Sequence, residues 1–156
     1  DRDELLRAIP ALKEELESLS KKAQDKNQAR QERYTAALDA KAQKYFDKLV
    51  VGFPDTMREA ALKDKKRCMV TNSFSVGLLQ SIEFTNKLFA EARGQEVERS
   101  ESEEFNLSRE EVFDAIAHKV AKWCVAQGFT SEIKTSSFGI GGSSMPIEEV
   151  WITFAK

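Results

Sequence analysis

His118 is the only histidine of the chain. Asp114 precedes it by four positions and Lys122 follows it by four. On a helix, an Asp–His pair at this spacing could orient an imidazole for base catalysis. The apolar positions of the same segment, Ile116 and Trp123, fall on the opposite side. His118 is therefore expected to face solvent, where such a pair is a weak surface contact. Cys68 and Cys124 form no C-x-x-C, and one His cannot complete a common zinc site with them. Two reduced, buried thiols are expected, with a disulfide as the alternative. Carboxylate pairs recur (Glu14/Glu15, Glu103/Glu104, Glu110/Glu111, Glu148/Glu149), so none is singled out. Glu149 is the least ordinary, because alternation puts it on one strand face with Ile147 and Trp151. An edge charge that discourages aggregation accounts for it.

The one Gly-rich stretch is Gly139-Ile140-Gly141-Gly142-Ser143-Ser144. A phosphate cradle needs such a loop feeding a helix N-terminus, usually with a Lys following. Here it feeds a strand. A flexible hairpin loop is expected, with Gly139, Gly141, Gly142 and Ser143 as contact residues for a partner. No catalytic residue, metal or cofactor is assigned, and a non-enzymatic role is favoured.

Charge narrows the partners. The 156 residues carry a net charge of −2 and 41% apolar residues. No global field recruits DNA or an anionic membrane. No apolar run reaches the roughly 18–20 residues of a membrane span. The opening Asp1-Arg2-Asp3-Glu4 is unlike a secretory leader, and the missing initiator Met suits a chain trimmed from a larger parent. A cytoplasmic location is expected. Lys21 to Lys48 holds eight basic and four acidic residues, a local +4. Aromatic residues of the C-terminal strands (Phe129, Phe138, Trp151, Phe154) have only Lys134 and Lys156 for company, too little basic surface for a single-strand binder.

The elements that must position these groups begin with a long helix. The first fifty residues contain no glycine and one proline. Leu5, Ile9, Leu12, Leu16, Leu19 and Ala23 step by 4, 3, 4, 3 and 4, the seam spacing of a coiled coil. The seam then meets Lys26 and Arg30, and resumes at Tyr34, Leu38, Tyr45 and Leu49. The polar stretch Gln24–Arg33 is read as solvated helix rather than a break. Gly52 and Pro54 interrupt the pattern, predicting a kink or two abutting helices.

Cys68, Val70 and Phe74 alternate with Met69, Thr71 and Ser73 and predict a short strand. A helix from about Val76 to Arg93 follows, closed by Gly94. Its two apolar lines predict burial between the sheet and the N-terminal helix. An acidic linker spans residues 95–107. Ser108 and Glu111 form a capping box, with Leu107 and Val112 at the staple positions. Gly128 supplies the left-handed turn that ends this helix. Two strands, Phe129–Phe138 and Ile147–Ala155, close the chain as a C-terminal β-hairpin (129–155).

The fold class expected is α+β. A long N-terminal helical, coiled-coil-like arm (1–50) precedes a small domain (51–156) with a three-stranded, mainly antiparallel sheet packed against helices. The core is expected to hold Leu79, Ile82, Phe113, Ile116, Val120, Trp123, Ile133, Val150, Ile152 and Phe154. The function expected is protein–protein interaction or assembly. The arm would dock a partner or a second copy through Leu5, Ile9, Leu12, Leu16, Leu19, Arg30, Arg33 and Lys41. The alternatives are a nucleic-acid accessory protein using residues 21–48, and a small enzyme or ligand binder with a pocket near the hairpin.

Overall fold

The structure is a computed structural model that describes residues 1–97, 105–140 and 142–156. The order is α1 (Arg2–Val50), α2 (Phe53–Leu62), β1 (Arg67–Asn72), α3 (Ser73–Ala92), α4 (Arg109–Gln127), β2 (Thr130–Ile140) and β3 (Ser143–Thr153). The fold is α+β with a long N-terminal helical arm. The chain divides into two compact units, Asp1–Ala36 and Ala37–Lys156. No described helix is long and apolar enough to cross a membrane. Most of the acidic linker, residues 98–104, lies outside the described residues.

The first unit is helix throughout, from Arg2 onward. Gln24–Arg33 is continuous helix rather than a break. Pro10 is accommodated inside it, although its ring has no N–H for the carbonyl of Leu6.

The second unit opens with the last turns of α1, which bury Ala37, Ala42 and Tyr45. Two abutting helices form at Pro54, which occupies the first turn of α2, where a missing N–H is harmless. The three strands form one antiparallel sheet in the order β1-β3-β2. Val76, Phe113, Ile116, Val120, Cys124 and Ile152 are fully buried, and Tyr45, Phe53 and Val150 nearly so. Phe46, Phe53, Trp123 and Phe129 form a chain of edge-on and tilted rings with centroids 5.5–6.3 Å apart. Such pairs add to the gain from burial alone.

The predicted helix ends hold in detail at α4. Ser108 Oγ accepts the Glu111 N–H at 3.2 Å and lies 3.1 Å from its carboxylate. Gly128 sits at φ +82°, and the Phe129 N–H donates to the Cys124 carbonyl at 2.8 Å.

Four expectations are corrected. α3 starts at Ser73 rather than Val76, because Asn72 Oδ1 accepts the Ser75 N–H at 2.7 Å and caps it. Phe74 therefore belongs to the helix, not the strand. In β1 a bulge between Met69 and Thr71 makes Val70 the extra residue. It is Thr71, opposite Val150, that turns inward. Ile133 shares a face with Val150 but is 52% exposed, because β2 is an edge strand. The two apolar lines of α3 are not both covered: Ile82 is 57% exposed.

The Gly-rich stretch is also more regular than expected. Strand pairing runs as far as Ile140↔Ser143. Gly142 has φ +86°, a left-handed conformation that glycine adopts without a steric penalty. Pro146 is tolerated within β3 because only β2 borders that part of the strand.

Candidate interaction surfaces

In the first unit, Leu5, Ile9, Leu12, Leu16 and Leu19 are 51–66% exposed, and Leu6 joins them at 54%. Five large apolar side chains at one-face spacing are thus left to water. Arg30 and Arg33 are exposed on the same helix. A helix of this kind gains little from its own propensity and is stabilised by whatever covers its stripe.

In the second unit, α3 presents a further apolar surface. Phe74, Leu78, Ile82, Phe84, Leu88 and Phe89 are 47–65% exposed. The opposite side of the helix carries buried Val76 and half-buried Leu79 and Glu83. The only charged residues of α3 are Glu83, Lys87 and Glu91, so its outward face is uncharged over most of its length.

Glu83 organises a polar cluster against the end of α1. Lys41 Nζ and Tyr45 OH each donate to its carboxylate at 2.7 Å. Lys44 and Lys87 stand at 3.5 and 3.7 Å. Burial alone raises the Glu83 pKa. The hydrogen bonds from Lys41 and Tyr45 and the charges of Lys41 and Lys44 outweigh it, holding the group at about 2. Burial first, and then the Glu83 bond and charge, push the Tyr45 hydroxyl upward. Lys41, expected from its spacing to be a docking cation, has a side chain only 12% exposed that serves this internal cluster. No sequence signal links it to Glu83, 42 positions away.

The outer face of the sheet centres on Trp151. Lys134 and Arg67 lie over its ring at 4.7 and 5.9 Å. Its indole N–H donates to Glu149 at 3.3 Å. Glu132 lies within 3.4 Å of Lys134 and 3.7 Å of Arg67. Two cations and two carboxylates leave this face neutral, so it has no electrostatic pull on a phosphate backbone. Glu149 thereby acquires a role as the hydrogen-bond partner of an indole.

The remaining candidates are placed simply. His118 is exposed on α4. Cys68 and Cys124 are free and buried, and burial raises both thiol pKa values. Gly139, Gly142 and Ser143 lie at the tip of the hairpin, and Gly141 is outside the described residues. No protein family, curated protein or solved structure matches this chain.

Proposed function

We propose that this is a non-enzymatic assembly protein that docks a protein partner or a further copy of itself through the N-terminal helix. The observation that carries the reading is the seam of α1. Leu5, Ile9, Leu12, Leu16 and Leu19 keep coiled-coil spacing and are each more than half exposed. An apolar stripe of this length, left in water, marks an interaction surface. A partner helix supplies the complementary stripe. The hairpin residues Gly139, Gly141, Gly142 and Ser143 are a second proposed contact. A nucleic-acid role is the weaker reading. Two of the eight basic residues between Lys21 and Lys48, Lys41 and Lys44, are drawn to Glu83.

The test is the mass in solution of the full chain, alone and with candidate partners. Leu12→Glu with Leu16→Glu should dissociate the assembly and leave the second unit folded. A compact monomer that captures nothing, and that is unchanged on deleting residues 1–30, defeats the reading.

A further inference from the structure

We infer that the occupant of the α1 seam is a second copy of this chain, laid antiparallel about a two-fold axis between residues 17 and 18; this rests on the docking role proposed for α1.

Charge makes the first argument. Residues 1–19 hold six acidic and three basic side chains, a net −3. Residues 20–36 hold five basic and two acidic, a net +3. An antiparallel pair lays each acidic half on a basic half. A parallel pair stacks like on like, and places Lys26 and Arg30 at the seam against their own copies. Like charges so juxtaposed oppose that arrangement.

The seam makes the second argument, because it selects one register. In an antiparallel pair the two seam positions of each heptad alternate across the interface. When facing residues sum to 35, Leu16 meets Leu19 of the second copy and Leu12 meets Ala23, each twice by symmetry. The polar part of the seam then has a purpose. The aliphatic stem of Lys26 lies on Ile9, and that of Arg30 on Leu5, with the charged heads free to reach water. At the flanking positions Glu15 faces Lys22 of the second copy, again twice. The neighbouring antiparallel register, with facing residues summing to 28, pairs more leucines. It also sets Glu15 against Glu15 and Lys13 against Lys13 at the axis. The register summing to 35 is the one in which both the seam and its flanks are satisfied.

The two halves are separable by charge exchange. Sedimentation equilibrium of the full chain at low salt should show a reversible dimer. Glu15→Lys alone, or Lys22→Glu alone, turns both flanking attractions into repulsions and should weaken the dimer about fivefold to tenfold. Glu15→Lys combined with Lys22→Glu should restore the affinity to within about threefold. In a parallel pair these two residues never meet, and the double variant gains nothing over the singles. A dimer that Leu12→Glu/Leu16→Glu dissociates, but in which the double exchange gives no rescue, overturns the antiparallel register and leaves the docking role of α1 standing. A chain that stays monomeric at every concentration overturns the second copy as occupant. Capture of another protein through residues 1–30 would then still support the docking role.

Discussion

Lys41 Nζ lies 2.7 Å from Glu83 Oε1, joining the last turns of α1 to the middle of α3. The contact is largely shielded, with the side chains 12% and 15% exposed. It makes one contribution to the acid sensitivity of the second unit. The Glu83 carboxyl, ordinarily near 4.5, is held at about 2 in the folded chain. A depressed carboxyl stabilises the fold fully above its unfolded value. That contribution is lost as pH falls from about 5 toward 2. Glu83→Gln should therefore cost up to about 3 kcal/mol at pH 7. Urea unfolding at pH 7 and pH 3 checks this. The gap between the variant and the parent should shrink at the lower pH; an equal gap at both would refute the assignment.

Ile116→Ala should cost about 2–5 kcal/mol, because Ile116 is fully buried in the face of α4 that packs on the sheet and neighbouring helices. Ile133→Ala and Ile82→Ala should each cost under about 1 kcal/mol, since more than half of either side chain already meets water. Chemical denaturation of the three variants ranks them directly. A loss at Ile133 comparable to that at Ile116 would mean that the inner face of β2 is covered in solution.

That contrast shows what could be read from the residues alone. Periodicity marks which side chains share a face, and it is enough to predict Ile116, Val120, Val150 and Ile152, all buried, as core residues. The cap at Ser108 and the turn at Gly128 depend on a few adjacent residues, and they too were legible. Alternation also put Ile133 on the inner face. It carries no information on strand order, which makes β2 an edge. The bulge that turns Thr71 inward breaks the alternation on which the reading of Val70 relied. The Glu83 cluster is assembled by tertiary packing of residues about 40 positions apart, so no local pattern announces it.

Thr71 is a place where the fold carries a removable cost. Its side chain is 4% exposed, and Oγ1 has no hydrogen-bond partner among the described residues. A buried hydroxyl without a partner is penalised by its lost hydration. Thr71→Val keeps the branched shape that suits a strand and replaces the hydroxyl with a methyl group. It should stabilise the protein by about 1 kcal/mol, seen as a higher melting temperature. Thr71→Ala should instead destabilise, because it removes packing as well as the hydroxyl. If the valine variant is the less stable of the two, the hydroxyl has a partner that matters.

His118 tests the view that function resides in surfaces. A catalytic imidazole needs a neighbour that orients it and a setting that tunes its proton affinity. Here the ring is exposed on α4, on the side away from buried Ile116 and Val120. Asp114, one turn earlier, is exposed as well, so any pair they form is screened by water. His118→Ala should change stability by no more than about 0.5 kcal/mol. It should leave assembly through α1 untouched, because the seam proposed for the pair lies within residues 5–30. The variant is to be compared with the parent in thermal unfolding, in sedimentation, and in any turnover assay that gives a signal. A turnover abolished by this one change, with the fold and the mass in solution intact, would place the protein among enzymes and set aside the assembly reading.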